Sequence, residues 1–311
     1  MRRVLLILVL LIVFVPILGL AVFLLPAHLQ VRSVDPPLPD LAAMFESVDV
    51  EGGPIRVRYV NSATQPTSDG RDMGHTAFVL DWEDGRRFVI DLGMEPDVAI
   101  EFGKPMESLL GSGPVSPHGS VAEQMGEGVE SVAGLAFTHL HHDHTQGIVA
   151  LCRSHGGNLP IYQTPFQFEK RNYTTDMGYV FIEEARALPD SKGCATPKRL
   201  DDNPTGSLHP IPGFPGLVAI PAGGHTPGST LYLAHVADHY FLFSGDITNT
   251  RRDLIENLPK PALYSFLIVP EDTRRTEKMR LWLRDLDARD DLTVVVSHDL
   301  TALEKTQIPA W

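Results

Sequence analysis

The sequence is poor in cysteine, in basic charge and in repetition, and each shortage removes a class of protein. Only two cysteines occur, Cys152 and Cys194, and they form no CxxC pair. Neither a thiolate zinc finger nor a multi-bridge disulfide scaffold can be built from them. They could form one bridge in an exported domain or remain buried thiols, and spacing alone does not choose. Lysine and arginine number 26 against 39 acidic residues, a formal net charge of −13. A surface of that sign repels phosphate backbones, so no nucleic-acid partner is expected. No long low-complexity tract and no internal repeat interrupts the chain. With 43% hydrophobic and 21% charged residues, it has the balance of a globular protein that buries a core.

Charge is also missing from one long stretch. After Met1-Arg2-Arg3, residues Val4 to Leu25 carry none. As a helix that run reaches about 33 Å, at roughly 1.5 Å per residue, enough to cross a bilayer core of about 30 Å. Pro16 and Gly19 are tolerated in membrane spans. A cleaved secretory signal is the alternative, but its apolar core is usually about 7–15 residues, and Leu25-Pro26-Ala27-His28 makes a poor cleavage site. Residues 1–30 therefore read as a membrane anchor, the route to a membrane partner. Arg2 and Arg3 favour a cytoplasmic N-terminus, which puts the rest outside, periplasmic or extracellular. It would be secreted if the segment were cleaved. Residues 31–40, containing Asp35-Pro36-Pro37-Leu38-Pro39, read as a Pro-rich linker. Residues 41–311 read as one folded domain.

Within the domain, Ile55–Val60, Thr76–Trp82 and Arg86–Asp91 carry strand patterns, the last two joined by the turn Glu83-Asp84-Gly85. Val132–Thr138 reads as a buried strand, followed by a helix from about Asp143 to Arg153. Leu159–Gln163 reads as a strand and Pro165–Lys170 as a short helix. Strands resume at Leu217–Ile220, Thr230–His235 and Tyr240–Ser244. Glu271–Leu286 is an amphipathic helix and Leu292–Val296 a final strand. Strands then helix, twice over, suggest an α/β sandwich. Tyr173 to Pro215 reads as the least regular stretch and as the wall of a substrate pocket. Tyr173, Tyr179 and Phe181 offer aromatic surface there, though the same rings could be core residues of a long excursion.

The chemistry concentrates in Thr138-His139-Leu140-His141-His142-Asp143-His144. His139 and His141, two apart in an extended loop, put both imidazoles on one side. Asp143 suits the start of a helix. Burying so many polar groups together costs several kcal/mol unless they are paired or hold a metal. Imidazole and carboxylate without thiolate fit a catalytic zinc or a related divalent ion. His75, His118, His155, His209, His235 and His239 read as structural or surface residues, and His142 as a bystander.

His139-x-His141-x-Asp143-His144 resembles the signature of the metallo-β-lactamase superfamily. Gly224-His225-Thr226-Pro227-Gly228-Ser229, Ser244-Gly245-Asp246 and Ser297-His298-Asp299 follow in that family's order. The resemblance spans about Val57 to Leu300. It implies a four-layer αββα sandwich of two mixed β-sheets flanked by helices. It also implies two divalent metal ions, zinc being the expected identity. His139, His141 and His225 would hold the first, Asp143, His144 and His298 the second, with Asp246 bridging. Such a pair, roughly 3.5–4 Å apart, generates a bridging hydroxide at neutral pH, which Asp143 would orient or relieve of a proton. Asp299 is a candidate partner for a ligand imidazole, or a solvated loop acid.

Within the superfamily the pattern most resembles the N-acyl homoserine lactonase branch, so a small-molecule ester or lactone is the expected substrate. Many of those enzymes carry a tyrosine three residues after the bridging aspartate. Here that position is Asn249, which can donate a hydrogen bond but cannot act as an acid. A thioester hydrolase of the glyoxalase II kind is the second choice, and a phosphodiesterase the third. A non-catalytic, membrane-tethered metal-binding module is the alternative from another class. The true β-lactamases usually place a cysteine in the second site. Flavodiiron proteins place a glutamate where His141 stands. Neither fits.

Overall fold

A computed structural model of the chain describes residues 2–202 and 207–311. The strands of the first sheet are β1 (Arg56–Pro66), β2 (Asp72–Asp81), β3 (Arg87–Ile90), β4 (Ser116–Pro117), β5 (Val132–Ala136), β6 (Pro160–Gln163) and β7 (Thr196–Arg199). Those of the second are β8 (His209–Pro210), β9 (Leu217–Pro221), β10 (Thr230–Val236), β11 (His239–Phe243) and β12 (Leu292–Val295). The first sheet runs β4-β1-β2-β3-β5-β6-β7 and the second β12-β11-β10-β9-β8. β1, β2 and β3 pair antiparallel, whereas β3, β5, β6 and β7 are parallel neighbours. In the second sheet only β11 and β12 run parallel. Both sheets are therefore mixed, and the fold is α/β.

Helices among the described residues are α1 (Arg2–Arg32), α2 (Leu41–Glu46), α3 (Pro96–Leu110), α4 (Val121–Met125), α5 (His142–Thr145), α6 (Ile148–Ser154), α7 (Pro165–Glu169), α8 (Tyr173–Ala187), α9 (Arg251–Ile255), α10 (Thr273–Asp287) and α11 (Leu300–Leu303).

The period-two pattern of the strands divides the core. Along β2, Phe78 and Leu80 face the space between the sheets, while Ala77 and Val79 face the opposite way. β10 repeats this: Tyr232 and Ala234 meet the first sheet's apolar face, Leu231 and Leu233 the helices behind the second. Phe78, Phe88 and Phe243 are fully buried between the sheets, each stabilising the fold by about 1.5–3 kcal/mol through burial alone. Ile148 and Leu151 of α6 and Ile182 of α8 cover the first sheet. Met44, Leu254, Met279 and Leu283 from α2, α9 and α10 cover the second.

Two local expectations need correction. The stretch from Tyr173 to Pro215 opens with α8, fifteen ordered residues. Asn172 caps it, its side chain accepting from Thr174 and Thr175 while the Thr175 hydroxyl bonds back to the Asn172 backbone. The prolines and glycines that suggest irregularity all but one fall after Leu188; the exception, Gly178, lets α8 touch the histidine loop, since a Cβ there would stand 2.3 Å from the Leu140 carbonyl. The single helix expected from Asp143 to Arg153 is two, α5 and α6. α3, which holds Pro105 within it, is a helix on which the sequence pattern carries no expectation.

Cys152 of α6 is disulfide-bonded to Cys194, with Cα atoms 5.8 Å apart and a sequence separation of 42. Closing a loop of that length restricts the unfolded chain by about 4 kcal/mol. Denaturant titrations with and without reductant should differ by that order, and coincident midpoints would show that the bridge contributes nothing.

The C-terminal part of α1 rests on the domain. Val15, Leu18 and Val22 are exposed, whereas Leu24, Ala27, His28 and Val31 are buried. Residues of the expected linker also pack: Val34 is fully buried, and Asp35 accepts from Arg275 Nη1 at 2.6 Å.

Candidate metal centre

Strand ends and turns deliver the polar side chains. β5 runs out into Thr138–His141. β11 and β12, parallel neighbours, end together just before Asp246 and His298. His225 sits on the turn between β9 and β10. Gly245, at φ +54°, makes the reversal before Asp246, where a Cβ would come within 2.7 Å of Thr138 Cβ.

All seven residues expected as ligands converge there. His139 Nε2 and His141 Nδ1 are 2.9 Å apart, and the His225 ring lies 4.7 Å from that of His139 and 4.8 Å from that of His141. On the other side, Asp143 Oδ2 is 3.6 Å from His298 Nε2 and 3.7 Å from His144 Nε2. Asp246 lies between, Oδ1 at 3.1 Å from His298 Nε2 and 3.5 Å from His144 Nε2, Oδ2 at 3.8 Å from His225 Nε2. Among the described residues the donors lie within 4.8 Å of one another inside each of three groups: His139, His141 and His225; His139, His144 and Asp246; and His75, Asp143 and His298.

The imidazoles are held from behind. His144 Nδ1 donates to Asp91 Oδ2 at 2.9 Å, and His298 Nδ1 to the Gly74 carbonyl at 2.7 Å. Asp91 also accepts from the Thr138 amide and hydroxyl, tying the loop to the end of β3. His225 Nδ1 stands 2.5 Å from Glu271 Oε1. With that proton on Nδ1, the Nε2 lone pair of each ring is left facing the centre.

That is the fit test for a metal. His144 Nε2, His225 Nε2 and Asp246 Oδ1 are buried without a hydrogen-bond partner, a cost of about 1–3 kcal/mol each unless something else binds them. Cations satisfy all three. Burial pushes His139 well below its ordinary value and His141 to about 3, so both rings are neutral. Burial also works against charge on His144 and His298. Carboxylates outweigh it: Asp91, Asp143 and Asp246 at His144, Asp246 and Asp143 at His298, so both values rise. Burial opposes ionisation of Asp143 and Asp246 as well, yet the neighbouring imidazoles hold both carboxyls below their usual range.

The remaining candidates separate. Tyr173 packs against Phe23 with ring centroids 4.6 Å apart and donates to the Ile268 carbonyl. Tyr179 lies under the Arg171 guanidinium, and Phe181 against His142; both pack on the core of the first sheet. Asn249 is half-buried with Oδ1 unpaired. Asp299 does not orient an imidazole: its oxygens accept from the backbone amides of Ala302 and Arg251, which makes it the N-cap of α11.

Several residues at the site carry no signal in the sequence. His75, expected among the structural or surface histidines, is buried with Nδ1 3.4 Å from Asp143 Oδ2. Thr174 Oγ1 lies 3.2 Å from His141 Nε2. Lys260 Nζ donates to the Asp246 carbonyl at 2.7 Å and to Glu271 Oε1 at 3.0 Å. Its ammonium stands over the ring of Tyr264, 5.6 Å from the centroid. Burial raises the Tyr264 phenol well above its ordinary value, and Asp246, Glu271 and Asp143 add to it.

Fold and site together define a metal-dependent hydrolase. The sequence profile of the Metallo-beta-lactamase superfamily matches residues 70–298, so the chain belongs to that superfamily. Among curated protein sequences none matches. Solved structures do. An N-acyl homoserine lactone hydrolase with the product N-hexanoyl-L-homoserine bound at its catalytic metal centre is 15% identical, covers 82% of this chain and 98% of its own, and superposes with a TM-score of 0.55. The AiiA protein of B. thuringiensis, with N-decanoyl-L-homoserine bound at the active site, gives the same identity, the same 82% and 98% coverage and a TM-score of 0.55. A probable metal-dependent hydrolase from Staphylococcus aureus is 14% identical, covers 80% and 91%, and has a TM-score of 0.53. Identities so low speak for the fold.

Proposed function

We propose that the chain is a dinuclear hydrolase, with zinc as the metal, that cleaves an ester or lactone bond in a small molecule of the N-acyl homoserine lactone kind. The reading includes the full four-layer αββα sandwich, with α1 as a membrane anchor and the domain outside. An intact disulfide supports that location. The observation that carries the function is the gathering of the seven donors into overlapping groups, with His144 Nε2, His225 Nε2 and Asp246 Oδ1 buried and unpaired. His139, His141 and His225 would hold one metal, Asp143, His144 and His298 the other, and Asp246 would serve both. When bound, such a pair supplies Lewis acidity and a nucleophile drawn from water at neutral pH.

This chain's own residues do the rest. Asp143 Oδ2, 3.6 Å from His298 Nε2 and 3.7 Å from His144 Nε2, would orient the nucleophile or take its proton, with His75 Nδ1 3.4 Å from the same oxygen. Tyr264 keeps its proton at neutral pH and takes the task that Asn249 cannot, donating to the carbonyl or leaving oxygen. Tyr264→Phe should lower kcat about 10–100-fold with KM little changed. Steady-state kinetics decide this, and an unaltered kcat would remove Tyr264 from the reaction. The whole reading is tested by a panel of lactones, esters, thioesters, phosphodiesters and β-lactams on the metal-loaded full chain. Preference for thioesters would move the chain to the glyoxalase II kind, and no turnover with metal bound would leave a binding module.

A further inference from the structure

The ring that α1 touches is one residue from the metal centre. Phe23, inside the apolar run Val4–Leu25, packs on Tyr173, and Thr174, the next residue, contacts His141. Five residues further along α1, His28 Nε2 meets the Phe266 carbonyl at 3.0 Å and its ring stacks on Phe266. Those five residues rise about 7.5 Å. The rim of the site is thus pinned beside the end of the apolar run, level with the zone where a spanning helix leaves the hydrocarbon.

Beyond those contacts with α1 the rim is apolar and exposed. The turn Tyr264–Ile268 exposes Phe266 and Ile268, and Leu263 just before it is 72% exposed. On α8, Met177 and Val180 follow Tyr173 at helical spacing i, i+4, i+7 and are exposed as well. Tyr173 joins the two tracts through its hydrogen bond to the Ile268 carbonyl. Apolar side chains gathered on one face mark an interaction surface, and aromatic rings at its edge suit the headgroup level of a bilayer. Tyr264, at the start of the same turn, has its ring 5.6 Å from the Lys260 ammonium, which donates to the Asp246 carbonyl.

We infer that this rim seats on the bilayer that α1 enters, so that the substrate reaches the metals from lipid. The substrate class is then an amphipathic ester or lactone whose acyl chain stays in the membrane while its carbonyl meets the metal pair. The inference rests on α1 being a retained anchor, and its test separates the two.

The full chain is reconstituted in phosphatidylethanolamine–phosphatidylglycerol vesicles, carrying Leu263→Trp, with and without lipid brominated on the acyl chain. Bromolipid should quench more than about half of the added emission, in the Asp246→Ala background too, because seating needs no hydrolysis. Alkaline carbonate extraction reads the anchor separately: a released chain overturns both readings. A retained chain in which the emission of the introduced indole ignores bromolipid overturns this one alone, whether water or another protein covers the patch. In the second arm, Leu263→Ser with Ile268→Ser should cut kcat/KM about tenfold on a long-chain lactone held in vesicles, against less than about twofold on a short-chain soluble one. Equal losses on both substrates would also overturn it.

Discussion

Asp246→Ala is expected to lower turnover by about a thousandfold or more and to reduce bound metal from about two equivalents to one or fewer. The reason is geometric. One carboxylate stands within 3.1–3.8 Å of His298, His144 and His225, nitrogens that belong to both halves of the centre. In the proposed dinuclear centre each other ligand would serve one ion only. On that proposal, removing Asp246 would take a donor from each ion and the negative charge between them. Asp246→Asn, which keeps the shape and loses the charge, should fall between wild type and alanine in metal content. His139→Ala should empty mainly the half it shares with His141 and His225. Elemental analysis of purified protein beside an ester or lactone assay reads all three. Full metal content and full turnover in Asp246→Ala would end the dinuclear proposal.

The second large effect belongs to a residue that touches no substrate. Glu271 is buried between Lys260, Ser265 and His225. Burial opposes its ionisation, but Lys260 and His225 outweigh that and bring it to about 2. Glu271→Leu leaves the Lys260 ammonium buried without its partner, and breaking such a pair costs about 3–5 kcal/mol. It also frees the His225 ring, which should weaken metal binding about 10–100-fold. The pH dependence has a definite sign. A carboxyl whose folded value is depressed stabilises the fold fully above its unfolded value of about 4.3. That contribution fades as pH falls through about 2 in the folded protein. Wild type and Glu271→Leu should therefore differ most above about pH 5 and converge in acid. Thermal unfolding across pH, with chelator present so that metal does not contribute, makes the comparison. A constant difference at every pH would mean that packing, and not the ion pair, sets the loss.

The seven donors are legible in the chain itself because four of them, His139, His141, Asp143 and His144, crowd into six positions. The others stand in short motifs, with glycine or serine at the strand ends that present them. The groups behind them are not legible. Glu271 lies 46 residues from His225, and Asp91 53 residues from His144. No local pattern joins such pairs. His75 looks like any other histidine in a strand, and only the placement of β2 carries it beside Asp143. α8 is hidden because its start depends on the reciprocal Asn172–Thr175 cap, while the prolines that colour the segment lie beyond its end.

By itself the sequence determined the donor types, the alternation that sends Phe78 inward and Val79 outward, and the apolar run that α1 carries. These are properties of neighbours along the chain, where covalent spacing sets direction. Tertiary structure alone decided which imidazole nitrogen is free, which carboxylate orients it, that Cys152 meets Cys194, and that the end of α1 lies against the rim of the site. Each of those is a contact between distant segments, and only the packing of two sheets and their helices brings such segments within reach.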